Sequence, residues 1–306
     1  MTPAIGRSLE LYYIDGRPDG MLTAELFNWT GHVLMAPRTQ IAVALKRPEA
    51  SYAGVYLLLG EQDGEPRAYV GEGEDISARI KAHDTAKDWW TSAVLVTAAA
   101  NKLNKAHVRY LEARLIAEAR AIGRVPLDNG TNPPRPSLSE ADVAKMEAFL
   151  ENLFIVLPAV RVDMFIQRTR PAGAQPASPD LAPPGVLTEP SSITARFVLA
   201  RPKQNRRATA VLVNGEFIVE AGSQARAHSS FRPHIHAELR RAGILVGEGE
   251  DCRFAQNYAF RSPSAAADVV TGRSASGPLE WKEITTGMTY REWEAQQLAA
   301  SGAEAA

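Results

Sequence analysis

Residues 54–84 read GVYLLLGEQDGEPRAYVGEGEDISARIKAHD, and this stretch decides how the first half of the chain folds. Two short runs, Gly54 to Leu59 and Ala68 to Gly71, are rich in β-branched and aromatic side chains and flank the polar, glycine-bearing segment Glu61 to Pro66. That pattern predicts a β-hairpin. Asp75 then stands where it can cap a helix in which Ile76 and Ile80 lie one turn apart, as do Arg79 and His83. Strand, strand and helix in that order gather Tyr56, Tyr69, Arg79 and His83 around one small surface. Two phenols, a guanidinium and an imidazole suit an anionic substrate.

Downstream, Ser92 to Thr97 reads as a further strand, and Asn104 caps a predicted helix that runs to about Ile122 before Gly123 ends it. Val108, Leu111, Leu115, Ile116, Ala119 and Ile122 make one apolar stripe along it, and Glu112 falls inside that stripe. A carboxylate turned toward a core costs free energy unless it has a partner. Two partners fit: a metal ion or buried cation, or an edge-on ion pair with Arg109 or Lys105. The segment Pro126 to Pro134 is a loop by composition and contains Asn129, whose simplest role is in an Asp128-Asn129-Gly130 turn. Ser139 with Asp142 starts another helix, through Leu150, and Leu153 to Val162 is an apolar segment that closes this unit.

The ordered set resembles the GIY-YIG nuclease family, with Gly54-Val55-Tyr56 as the first triplet and Tyr69-Val70-Gly71 as the second. Both triplets carry Val for Ile, a swap between β-branched strand formers. Arg79, eight residues after Gly71, occupies the place of the family's arginine, and His83 that of a histidine found in some members. Glu112 and Asn129 fit its later glutamate and asparagine. The resemblance implies an α+β nuclease-like domain over 48–167 that hydrolyses DNA phosphodiesters. It also implies a tyrosine general base, an arginine clamp on the phosphate and one divalent ion, Mg²⁺ or Mn²⁺, held by Glu112. Tyr56 is expected as base and Tyr69 as its orienting partner, the roles being nearly exchangeable on sequence alone. Gly71, Lys81 and Asn129 are expected at the substrate. The rival expectation is a catalytically inert scaffold that binds DNA without cutting it.

Before this block, residues 1–47 read as a β-containing extension that packs on it: Leu9 to Ile14 and Thr23 to Trp29 are strand candidates, and Ile41 to Lys46 is helix-like. After it, residues 168–192 are dominated by Pro, Ala, Gly and Ser and read as a linker. A smaller α+β domain follows over 193–306, with a tight hairpin at Asn214-Gly215. Arg201, Lys203, Arg206 and Arg207 crowd one predicted loop, which either holds a nucleic-acid backbone or is simply solvated. Residues 243–293, with Phe260 to Ala267, Gly272, Gly277 and Trp281-Lys282, resemble the domain known as DUF4357, which recurs beside GIY-YIG nucleases. VGEGED occurs at Val70 to Asp75 and again at Val246 to Asp251, but the second copy lacks a preceding tyrosine and has Ala255 where an arginine is needed. His234-Ile235-His236 reads as a strand presenting two imidazoles, a candidate zinc pair without a third ligand.

With 306 residues and 45% hydrophobic content, the chain can core two or more units. The single Cys252 excludes an internal disulfide or a cysteine-rich zinc site, and no run of about 18 apolar residues suggests a membrane span. A cytoplasmic protein is the expectation. Net charge is −1, yet residues 48–165 carry 13 basic and 17 acidic side chains while residues 191–293 carry 14 and 10. A nuclease in the first block is therefore expected to rely on a metal ion and another part of the chain to offset repulsion from phosphates.

Overall fold

The structure, a computed structural model, describes residues 6–84, 87–131, 133–170, 195–201, 206–247 and 251–304, with backbone alone at 83, 84 and 301–304. The chain divides into two units, 1–166 and 167–306, both α+β. Among the described residues no helix is long and apolar enough to cross a membrane.

In the first unit the strands are β1 (Leu9–Tyr13), β2 (Leu22–Leu26), β3 (Gly31–Pro37), β4 (Gly54–Gln62), β5 (Glu65–Gly73) and β6 (Trp90–Ala98). They form one antiparallel sheet in the order β1-β2-β3-β6-β4-β5. The N-terminal region is thus half of the sheet itself, joined through β3 to β6 from Gly31↔Ala98 to Pro37↔Ser92. The predicted polar loop of the hairpin is shorter than its composition suggests. Only Asp63 and Gly64 turn, both at positive φ (55° and 77°), the two-residue geometry whose twist matches the strands.

Helices cover both faces, α1 (Ile41–Ala44) and α2 (Ile76–Asp84) on one side, α3 (Lys105–Ile122) and α4 (Glu140–Val156) on the other. Strand alternation therefore divides one apolar run between two cores. Val55, Leu57, Val70, Val94 and Val96 pack with Leu111, Leu115, Phe149 and Leu153 of α3 and α4. Tyr56, Leu58, Ala93 and Leu95 pack with Ile41 of α1 and with Ile76 and Ile80 of α2. The caps form as the sequence predicts: Asn104 accepts from the His107 N–H at 2.9 Å, Gly123 closes α3 at φ 66°, and Ser139 accepts from the Asp142 N–H at 3.2 Å.

The second unit contains β7 (Thr169–Arg170), β8 (Ala195–Arg201), β9 (Arg206–Val213), β10 (Glu216–Val219), β11 (Gln224–Arg226), β12 (Leu245–Val246), β13 (Asp251–Phe254), β14 (Asn257–Phe260) and β15 (Lys282–Glu283). One sheet runs β15-β8-β9-β10-β14-β7 and a smaller one β11-β13-β12. Helices α5 (Pro233–Arg241), α6 (Pro263–Thr271), α7 (Gly277–Glu280) and α8 (Tyr290–Glu304) complete it. Its core is aromatic: Phe217 lies 5.2 Å from the fully buried Trp281, whose Nε1 donates to the Pro263 carbonyl at 3.0 Å. Thr169 and Arg170, assigned by composition to the linker, instead pair with β14, and Arg170 forms a bidentate ion pair with Glu216. The Arg168 carbonyl accepts from the Ala259 N–H at 2.8 Å, and residues 171–192 of the expected linker lie outside the described residues.

Candidate functional site

Tyr56 on β4 faces Gly71 on β5 in the strand register, and a Cβ at Gly71 would fall 2.4 Å from both Cζ and Oη of the tyrosine. Gly71, expected at the substrate, is itself buried. Its glycine is required because the Tyr56 ring lies across the neighbouring strand. Gly71→Ala is expected to destabilise the first unit by about 1–3 kcal/mol through overpacking. Gly130→Ala, where a Cβ meets nothing within 4 Å, is the control in thermal denaturation.

Tyr56 is completely buried, whereas Tyr69 is half-buried, their ring centroids 6.2 Å apart. Burial raises the ionisation of both phenols above the ordinary range, and the Glu112 charge raises it further while Arg79 opposes it.

Asp75 caps α2 as predicted, accepting from the Ala78 N–H at 3.1 Å. Gly73 lets the helix fold back on β5, since a Cβ there would meet Arg79 Cγ at 2.7 Å. The Arg79 Nε donates to the Glu72 carbonyl at 3.3 Å and its guanidinium is exposed. Lys81 leaves this surface and, with Lys46, borders a groove of about 240 Å³ lined by Ile41, Leu45 and Ile80. The His83 side chain lies outside the described residues.

Glu112 projects from the apolar stripe of α3, every other member of which is buried. Its carboxyl is pushed up to about 7 by burial and by the neighbouring Glu72, against the pull of Arg79, Arg109 and Lys105. The ion pair that composition offered does not form with Lys105, which reaches Glu72 at 3.0 Å. Among the described residues no hydrogen bond or ion pair holds the Glu112 carboxylate. No group of three or more His, Cys, Asp or Glu is placed to hold a metal ion among them either. A lone, partly desolvated carboxylate with a second one close by is nevertheless a donor set that suits Mg²⁺, which commonly takes one or two protein carboxylates and completes its shell with water and phosphate oxygens.

Asn129 has a structural task. Its carboxamide accepts from the Val70 N–H at 3.0 Å and donates to the Val70 carbonyl at 2.7 Å. One step earlier, Ala68 pairs with Pro126 and Asp128 through the backbone, so residues 126–129 cover the outer edge of β5. The same loop sets Asp128 against two cations that sequence reasoning did not single out, Arg67 at 3.1 Å and Lys87. Lys87 lies 4.7 Å over the Tyr69 ring and Arg67 lies 5.9 Å over Trp89. The run Lys87-Asp88-Trp89-Trp90, cation and anion against two indoles, was the available signal.

In the second unit, two cations of the predicted basic loop are already neutralised. Arg206 is buried and paired with Asp251, and Arg201 is paired with Glu280. Arg207 is exposed, and Lys203 lies outside the described residues. His234 and His236 sit on α5, not on a strand, because Pro233 at the first turn starts a helix there. Two residues apart on a helix they point to opposite sides, His236 buried and His234 exposed, and cannot share an ion.

Residues 197–294 match the family described as a domain of unknown function, DUF4357. The match begins at Phe197, well ahead of the 243–293 expected from the sequence. It takes in β8 to β11 and the Phe197, Phe217 and Trp281 core along with the C-terminal helices. No curated protein and no solved structure matches the chain.

Proposed function

We propose that the first unit is a GIY-YIG-type DNA endonuclease that hydrolyses phosphodiester bonds with one divalent ion, Mg²⁺ or Mn²⁺. The observation carrying this reading is Glu112, a partly buried carboxyl pushed up to about 7, in electrostatic reach of Arg79 and both phenols yet without a hydrogen bond or ion pair among the described residues. A stability role alone does not account for placing an acid there, since such an acid costs free energy until a cation arrives.

Glu112 would hold the ion, which when bound supplies Lewis-acid polarisation of the phosphate and charge relief at the departing 3′-oxygen. Arg79, exposed at the start of α2, clamps the phosphate and stabilises the charge that develops on its oxygens. Tyr69 orients the attacking water and takes its proton. Its partial exposure lets it reach substrate, and the Arg79 charge lowers the cost of ionising it. Tyr56 lies against Tyr69 from the core, ring centroids 6.2 Å apart, and helps fix the ring that acts.

Supercoiled plasmid incubated with the protein is expected to become nicked or linear with Mg²⁺ or Mn²⁺ and to stay intact with EDTA, read by gel electrophoresis. DNA binding without any cleavage under these conditions would replace the enzyme with the inert binding scaffold.

A further inference from the structure

Beside Tyr69 the first unit carries a strip of cations that the chemistry above does not use. Arg67 on β5 and Lys87 ahead of β6 converge on opposite oxygens of a single carboxylate, Asp128: Arg67 Nη1 lies 3.1 Å from Oδ1, and Lys87 is paired with Oδ2. Each cation also rests on an aromatic face, Lys87 on Tyr69 at 4.7 Å and Arg67 on Trp89 at 5.9 Å. The segment carrying Lys87 and Trp89 is held from below by Arg38, whose Nη1 donates to the carbonyls of Lys87 (3.2 Å), Asp88 (2.9 Å) and Trp90 (3.3 Å). Asp128 is fixed in turn by its own N–H, which donates to the Ala68 carbonyl at 2.8 Å. Two cations are therefore held ready on a rigid edge around one anion.

A carboxylate bridging two cations through two oxygens has the geometry of a backbone phosphate bridging them. We infer that Arg67 and Lys87 form a binding site for a DNA backbone phosphate next to the scissile one, and that Asp128 occupies it as an internal stand-in until substrate displaces it. The exchange is nearly balanced. A partly exposed ion pair contributes only about 0–1 kcal/mol, and the aromatic faces, at about 0.5–1 kcal/mol each, keep the cations in place while the anion changes. The contact is blind to base sequence, so it supplies affinity and register. It also answers the charge deficit of residues 48–165 locally: the offset comes from two placed cations, not from net charge.

The inference rests on the nuclease reading for its substrate, and the test separates the two. Binding of a labelled mixed-sequence DNA duplex is measured by fluorescence anisotropy in EDTA across a salt series, and plasmid nicking in Mg²⁺ is measured on the same preparations. Asp128→Asn is expected to bind severalfold more tightly at low salt, because the competing carboxylate is gone. Arg67→Gln combined with Lys87→Gln is expected to weaken binding and to reduce the slope of log K against log salt by about 1, the signature of one lost phosphate contact. The inference is overturned if the double variant keeps the wild-type slope, or if Asp128→Asn binds no more tightly while melting at the wild-type temperature. Wild-type nicking alongside either result leaves the nuclease reading standing. A changed slope without wild-type nicking leaves the phosphate site standing and removes the enzyme.

Discussion

Glu112→Gln is expected to lower Mg²⁺-dependent nicking by roughly 10³-fold or more, since loss of the ion's charge stabilisation is worth several kcal/mol and each factor of ten is about 1.36 kcal/mol. The same change is expected to make the metal-free protein more stable at high pH. The carboxyl is raised from 4.5 to about 7 in the folded chain by burial and by Glu72, so folding favours its protonated form. Its contribution to stability is fully present below the unfolded value and is lost as pH rises through about 7. Glutamine does not ionise and loses nothing. Melting temperatures of wild type and Glu112→Gln should therefore coincide near pH 4, separate between about pH 5 and 7, and favour the variant at about pH 8. Added Mg²⁺ should reverse the order at the high end, raising the wild-type melting temperature there and leaving the variant unmoved, because the ion binds the ionised carboxylate only. A variant that still nicks at the wild-type rate would remove Glu112 from the chemistry.

Where local chemistry fixes a structure, this sequence announces it. Asp75, Asn104 and Ser139 cap the helices that their positions predict, Gly123 ends one of them in the left-handed region, and the stripe of α3 is buried residue for residue. Where distant segments decide, the sequence is mute. Strand β3, HVLMA between Gly31 and Pro37, is buried on both faces and has no alternation to betray it, and its partner β6 lies some sixty residues further on. Residues 1–47 therefore read as an attachment when they are half of a sheet. His234 and His236 mislead for the opposite reason: a two-residue spacing suggests a strand, while Pro233 opens a helix.

The candidate site divides along the same line. Tyr56, Tyr69, Arg79 and Glu112 carry chemistry in their side chains and can be picked from the sequence. Gly71 and Asn129 stand in the same pattern, but what they do here is steric and backbone work, receiving a buried ring and covering an edge strand. No periodicity encodes that. Beyond the run at Lys87 to Trp90, nothing local marks the Arg67, Lys87 and Asp128 cluster, because its members come from a strand, a connecting segment and a loop that meet only in the fold.

Tyr69→Phe is expected to slow cleavage far more than Tyr56→Phe, about 10²–10⁴-fold for a group that orients or deprotonates water, against about tenfold for loss of one polar group behind it. This reverses the assignment that sequence alone favoured, and the reason is access. Tyr56 has no exposed surface, so its hydroxyl cannot touch water and phosphate together, while Tyr69 is half-buried and can. Electrostatics point the same way: burial raises both phenols, and it weighs more heavily on the fully buried Tyr56. Tyr69→Phe should also abolish the limb of the single-turnover pH–rate profile that rises at high pH, whereas Tyr56→Phe should lower the rate at every pH and leave that limb in place. Should Tyr56→Phe prove the more damaging of the two and Tyr69→Phe keep the rising limb, the buried phenol would be the one that matters, and the strand pair would have to open to let substrate reach it.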